Sequence, residues 1–212
     1  MTPLLLGHRG ARASRHIPEN TLASFELSLQ HGCDGFEFDV RQSSDGQAVV
    51  CHDPEAGGLE IAQTPAKSLL LPTLEEVLRS FTSRAFFDIE LKVGGLEPVV
   101  IALLQLHPPR KGYVVSSFLP DVIKAVHHLD AAIPLGFLFE KRDELHLWRD
   151  LPVAWVIPKA ELADQAMIRE VQAAGKKAMV WTVNRAEDMQ QFADWGVDAI
   201  ISDETELLNR SL

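Results

Sequence analysis

Two short runs of the chain carry acidic residues in strict alternation with large apolar ones. In Phe36-Glu37-Phe38-Asp39-Val40 the two carboxylates fall on one face of a strand and the apolar residues on the other, because successive side chains point to opposite faces. Phe87-Asp88-Ile89-Glu90-Leu91-Lys92 repeats the device, with Asp88, Glu90 and Lys92 on the shared polar face. Carboxylates crowded into low-dielectric surroundings raise one another's pKa and lose their charge. A divalent cation is the economical solution, and hard oxygen ligands select Mg2+, Ca2+ or Mn2+ over zinc. The competing reading is an acidic rim neutralised by Arg9 and Lys92 without metal. His8 ends an apolar run, and His52 ends another beside Asp53. Two histidines near a metal suit general acid–base work at neutral pH. Arg9 and Lys92 are suited to bind an anion, or else to partner Glu37, Asp39 or Glu90. Together these groups describe a phosphate-ester site better than a sugar-cleaving one.

Such a site needs a scaffold that brings several strand ends together. Strand-like runs at Leu4–His8, Gly35–Arg41, 85–93, 112–118, Pro134–Phe139, 153–157, 177–183 and Ala199–Ser202 alternate with amphipathic stretches. The latter lie at 21–31, Thr73–Phe81, 96–106, Pro120–Leu129, 143–150, 164–174, Ala186–Trp195 and 204–209. Asn20 before Thr21-Leu22-Ala23, and Thr73 three residues before Glu76, read as helix starts; Gly175 falls where a left-handed cap belongs. One piece breaks the alternation: Gln47–His52 is strand-like and joins the second strand through Ser43-Ser44-Asp45-Gly46, a hairpin signal. Without it, eight βα units remain, which predicts a single-domain (β/α)8 TIM barrel over residues 1–212. Residues 43–72 form a short insertion above the rim after strand 2. An open doubly wound sheet is disfavoured by the lack of Gly-x-Gly-x-x-Gly after the first strand.

The 212 residues carry 20 basic and 30 acidic side chains, a net charge of −10, which argues against a nucleic-acid or anionic-membrane binder. No apolar run approaches the ~20 residues of a membrane span. The opening Met1-Thr2-Pro3-Leu4-Leu5-Leu6 has no basic stretch and is too short for a signal-peptide core, so a cytoplasmic location is expected. Cys33 and Cys51 form no C-x-x-C pair and are expected to be reduced thiols.

His8-Arg9-Gly10, Pro18-Glu19-Asn20-Thr21, Gly35-Phe36-Glu37-Phe38-Asp39-Val40 and His52-Asp53 follow one another as in the glycerophosphodiester phosphodiesterase family, which the chain resembles from Leu5 to Glu204. Weaker matches follow at Pro72–Leu78, Glu90-Leu91-Lys92, Ser116-Ser117-Phe118, Trp181-Thr182-Val183-Asn184 and Gly196–Asp203. The resemblance implies a TIM barrel that hydrolyses glycerophosphodiesters, small-molecule substrates, to glycerol 3-phosphate and an alcohol such as choline or ethanolamine. Carried over by position, it makes Glu37, Asp39 and Glu90 ligands of a divalent cation, and His8 and His52 the acid–base pair, with His8 taken as the acid. It makes Arg9 and Lys92 phosphate contacts, Glu19 a support for the catalytic histidine and arginine, and Trp181, with Ser117 and Phe118, part of the substrate wall. The nucleophile is either water or the glycerol 2-hydroxyl. The chain departs from the family pattern between Asp53 and Pro72, where a longer insertion with an Arg-Thr-Thr and glycine-rich run is missing, so a reduced lid is expected. A phospholipase D-like activity on lysophospholipids is the alternative on the same fold, although no hydrophobic docking loop is evident. A non-catalytic barrel binding a phosphorylated ligand would be expected to have lost one of the five key residues.

Overall fold

The computed structural model describes residues 2–212; Met1, the first residue of the N-terminal run read above, lies outside them. Eight parallel strands form the frame: β1 (Leu4–His8), β2 (Gly35–Gln42), β3 (Phe86–Leu91), β4 (Tyr113–Ser117), β5 (Leu135–Phe139), β6 (Trp155–Pro158), β7 (Lys177–Val180) and β8 (Ala199–Ser202). Each pairs with its successor, and β1 also pairs with β8, Leu4 opposite Ala199 and Gly7 opposite Ser202, so the sheet closes on itself. Closure removes every open edge, which is why this architecture tolerates strands of only four to eight residues. The expected barrel is the observed one.

Alternation along the strands produces two cores. Leu6, Phe86, Val114, Trp155, Met179 and Ala199 point inward and plug the barrel. The outward residues meet the helices. Behind β2 and β3 this outer core is aromatic: Phe25 stacks on Phe36 at 4.3 Å between ring centroids, and Phe87 meets Phe36 edge-on at 5.4 Å. Phe36, Phe38 and Phe87 are fully buried. Each such ring contributes roughly 1.5–3 kcal/mol by burial, so the strands that carry the acids are held from behind.

Among the described residues, seven of the eight barrel strands are followed by an α-helix; the exception is β5, whose link to β6 has none. The helix expected over 143–150 is instead two 3-10 turns, Arg142–Glu144 and Leu147–Arg149. Only Trp148 of these turns is buried, and Pro152 follows closely, so neither packing nor length favours an α-helix there. At the first helix, Leu22–Gln30, the cap is Thr21, whose hydroxyl accepts from Ser24 N at 3.2 Å, rather than Asn20. At Leu74–Phe81 the expected capping box is present, with Thr73 N donating to Glu76 Oε2 at 2.8 Å. The hairpin arm after β2 is Ala48–Val50, antiparallel to it with Val50 opposite Val40. Beyond it lie a two-residue-per-strand hairpin, Glu55–Ala56 with Leu59–Glu60, and the short helix Ala66–Leu69, neither of which the sequence pattern announced.

Candidate active site

The carboxylates arrive at the barrel mouth by strand parity. Glu37 and Asp39 of β2 lie opposite Asp88 and Glu90 of β3 in register. Ligand oxygens of Glu37, Asp39 and Glu90 all lie within 4.8 Å of one another, and all three residues are buried. Burial is the largest influence on Glu37 and, with the charges of Asp39, Glu90 and Asp88, pushes its carboxyl well above the usual range. Burial and Asp39 likewise push Glu90 up to about 7, with Lys92 opposing. Burial also works against the Asp39 charge, but Lys92, Arg9 and the Asn20 amide together hold that carboxyl below its ordinary value. One buried oxygen, Glu37 Oε1, has no hydrogen-bond partner at all. Three converging carboxylates, one with an orphaned oxygen, fit a hard divalent cation: the donor set is all oxygen, and the missing partner would be positive.

A turn of left-handed backbone builds the side of the site next to β1. Arg9 (φ 53°) and Asn20 (φ 57°) both occupy the left-handed region, which is uncommon outside glycine and concentrates at functional sites. Arg9 N donates to Glu37 Oε2 at 3.0 Å, while Arg9 O accepts from Asn20 N at 3.0 Å and from Ser24 Oγ at 2.6 Å. Gly10 follows at φ 82°, and a Cβ there would come within 2.6 Å of the Ser24 backbone carbon, so this helix can approach only a glycine. Asn20 Nδ2 then donates to Asp39 Oδ2 at 2.8 Å, which explains why Asn20 is not free to cap the helix.

The two cations differ in their attachments. Arg9 Nη1 donates to Glu19 Oε1 at 2.7 Å, and its Nε lies 3.3 Å from Asp39 Oδ2, close enough for an ion pair but without hydrogen-bond alignment. Lys92 Nζ lies 2.6 Å from Glu90 Oε1 and 3.4 Å from Asp39 Oδ1. Glu19 serves Arg9 and Arg12 and makes no bond to either histidine.

Both histidines open on the same cavity, of about 320 Å3, together with Arg9, Glu37, Glu90 and Lys92. His8, 7% exposed, has Nδ1 2.7 Å from Asp203 Oδ1 and Nε2 3.8 Å from Glu37 Oε2. Asp203 is itself fixed: Asn184 Nδ2 donates to its Oδ2 at 2.7 Å, and Asn184 Oδ1 accepts from its backbone N at 2.9 Å. Burial opposes the Asp203 charge, yet His8, Asn184 and Arg12 bring its carboxyl down to about 2. His52, more open, has Nδ1 2.7 Å from Asp53 Oδ1, and its carbonyl accepts from Arg41 Nε at 2.8 Å.

The far wall is formed by Phe118, Leu138, Trp181, Ile201 and Glu140. Trp181 Nε1 donates to Ile157 O at 3.1 Å, and its ring meets Phe118 edge-to-face at 5.4 Å. Ser117, expected beside Phe118 in the wall, is turned the other way. Its hydroxyl donates to Leu91 O and accepts from Leu119 N, because the inward residues of β4 are Val114 and Ser116. Ser116 Oγ donates to Asp88 Oδ1 at 2.5 Å beneath the site, where burial pushes the Asp88 carboxyl up to about 7. Asp203, Asn184, Arg12, Asn20 and Glu140 are neighbours of the site that sequence reasoning did not single out. Asp203 stood at the end of a quoted motif directly after β8, and strand-end position was the available signal.

The sequence profile of the Glycerophosphoryl diester phosphodiesterase family matches residues 8–100 and 60–207 of the chain. The glycerophosphodiester phosphodiesterase of Caldanaerobacter subterraneus subsp. tengcongensis is 29% identical over 241 residues, spanning 98% of this chain and 97% of that protein. The Bacillus subtilis glycerophosphodiester phosphodiesterase is 27% identical over 253 residues, spanning 98% and 85%. Among solved structures, an Oleispira antarctica phosphodiesterase in complex with the product sn-glycerol-3-phosphate superposes with a TM-score of 0.87 at 26% identity, covering 99% of this chain and 96% of that one. With a closed barrel, a profile match spanning nearly its whole length and relatives aligned end to end, this chain is an enzyme that belongs to the glycerophosphoryl diester phosphodiesterase family.

Proposed function

We propose that the chain hydrolyses glycerophosphodiesters to glycerol 3-phosphate and an alcohol, with Glu37, Asp39 and Glu90 holding a divalent cation and His8 and His52 moving the protons. The observation that carries this reading is the convergence of both histidines, Glu37, Glu90 and two cations on one cavity, with Asp39 within 4.8 Å of the other two carboxylates. The relatives that align end to end bear the same activity in their names, and the Oleispira neighbour holds the corresponding product. When bound, Mg2+, Ca2+ or Mn2+ supplies Lewis acidity toward the phosphoryl oxygens and lowers the pKa of an attacking oxygen.

The remaining work falls to side chains of the chain itself. Arg9 and Lys92, the cations lining the cavity, meet the non-bridging phosphate oxygens and stabilise the charge that grows there. His52 removes a proton from the nucleophile, water or the glycerol 2-hydroxyl. His8 delivers a proton from Nε2 to the alkoxide as its bond to phosphorus breaks. Asp203 accepts from Nδ1 of His8 and Asp53 from Nδ1 of His52, so each ring keeps Nε2 free for transfer. The test is release of glycerol 3-phosphate from glycerophosphocholine and glycerophosphoethanolamine by the purified protein. Release that EDTA abolishes and Mg2+, Ca2+ or Mn2+ restores is expected. Inert protein with all three cations would overturn the assignment.

A further inference from the structure

We infer that Arg12 is a positioning residue that sets the proton donor His8 and the phosphate contact Arg9 as one unit, through one carboxylate each. This rests on the function proposed above and adds to it a residue outside the cavity lining. Arg12 Nε donates to Glu19 Oε2 at 2.6 Å, and the other oxygen of that carboxylate accepts from Arg9 Nη1 at 2.7 Å. Arg12 Nη1 donates to Asp203 Oδ1 at 3.2 Å, the same oxygen that lies 2.7 Å from His8 Nδ1. A guanidinium suits this task because it is planar and carries its donors in a rigid fork, so two carboxylates bound at Nε and Nη1 keep a set separation. A lysine ammonium in its place would keep the charge and lose that separation.

The backbone on either side of Arg12 is fixed as well. Ala11 N donates to Ser24 O at 3.0 Å, and Ala13 N donates to Asp203 O at 3.2 Å. The loop that follows β1 is thereby fastened to the first helix and to the end of β8, and the Arg12 side chain spans the same seam. Asp203 has a second support in Asn184, but apart from Arg9, Arg12 is the one side chain that holds Glu19 among the described residues. These pairs add little to stability, since Arg12 is 40% and Glu19 36% exposed. Their effect is on geometry. His8 and Arg9 lie deeper, at the reacting end of each link, where a displacement on the order of 1 Å can cost about 10²-fold in rate.

The experiment measures kcat, KM and melting temperature for Arg12→Ala and Arg12→Lys with divalent cation present. The substrates are glycerophosphocholine and bis(p-nitrophenyl) phosphate, of which only the first needs a proton on its leaving group. Arg12→Ala should lower kcat about tenfold on glycerophosphocholine and about threefold on bis(p-nitrophenyl) phosphate, because only the first draws on His8 as well as Arg9. Melting should stay within about 4 °C of wild type, the scale of exposed ion pairs in a chain of this size. Arg12→Lys should restore little of the loss. In an Asp203→Ala background, Arg12→Ala should no longer distinguish the two substrates, because the route to His8 is already cut. Wild-type kcat for Arg12→Ala on both substrates overturns the inference while leaving the proposed function standing. So does equal loss on the two, which detaches Arg12 from His8, and so does full activity in Arg12→Lys, which leaves only the charge. Loss of turnover that merely follows loss of fold in both variants makes Arg12 structural and also overturns it. Wild-type protein inert on glycerophosphocholine would overturn the function itself, and this inference with it.

Discussion

The mouth of the barrel is two different surfaces. From β1 to β3, with the arm that carries His52, it presents both histidines, the acids and both cations, and almost every one is locked by a neighbour within 3.4 Å. From β4 to β8 it presents two aromatic rings, two aliphatic side chains and a half-exposed Glu140. The difference separates two tasks. Moving protons and balancing charge demand groups fixed by hydrogen bonds, and these occupy three successive strands backed by a stack of phenylalanines. The other strands provide an apolar shape and one weakly held charge. Damage to the first surface should therefore fall on kcat, and damage to the second on KM.

The largest effect that tests this division is expected from the histidines. His8→Ala and His52→Ala should each lower kcat by roughly 10²–10⁴-fold while leaving the fold intact. On bis(p-nitrophenyl) phosphate, whose leaving group needs no proton, His8→Ala should recover and His52→Ala should not; equal loss for both would erase the division between acid and base. Next comes the carboxylate triad. Adding metal at a hundredfold excess over Kd should raise stability by about 2.7 kcal/mol. Glu90→Gln should remove that gain, so a full melting shift in the variant would release Glu90 from the ligand set.

Asp203 should show itself through pH. Its folded pKa of about 2 lies below the ordinary aspartate value of 3.8, so its stabilisation is present above the unfolded pKa and is lost as pH falls through about 2. With its side chain 18% exposed, the contribution is on the order of 2 kcal/mol. Asp203→Asn should therefore be less stable than wild type near neutrality, and urea titrations should see that gap narrow as pH drops below about 4. A constant gap would mean that the carboxylate charge is not what stabilises. Ser117→Ala should have the smallest effect, about 1 kcal/mol of stability from two lost hydrogen bonds to backbone. A rise in KM with stability unchanged would return Ser117 to the substrate wall.

The same division explains what could be read before the fold was known. In β2 and β3 a period of two, with acids on one face and Phe, Ile or Leu on the other, admits one orientation, so Glu37, Asp39 and Glu90 could be placed together. Parity also limited β4, since Ser117 and Phe118 cannot share a face; Val114 and Ser116 point inward, with Phe118 on their side. Asp203, Asn184 and Asn20 lie past strand ends, where no periodicity sets side-chain direction and only the closed barrel brings them to His8 and Asp39. Glu140, followed by Lys141 and Arg142, is indistinguishable in sequence from an ordinary solvated charge. The turns that replace a helix after β5 were obscured by apolar spacing that only one buried residue, Trp148, fulfils.

The seam between β1 and β8 also has a consequence in time. His8 and Asp203 are 195 residues apart, and Leu4 pairs with Ala199. At roughly 5–20 residues per second of synthesis, β1 waits on the order of 10–40 s for its partner strand. All three proposed metal ligands have been made by residue 90, whereas the carboxylate that orients His8 is residue 203. A nascent chain can thus carry its full set of acids while its first strand still has an unpaired edge, and catalytic competence must arrive abruptly, with the last strand.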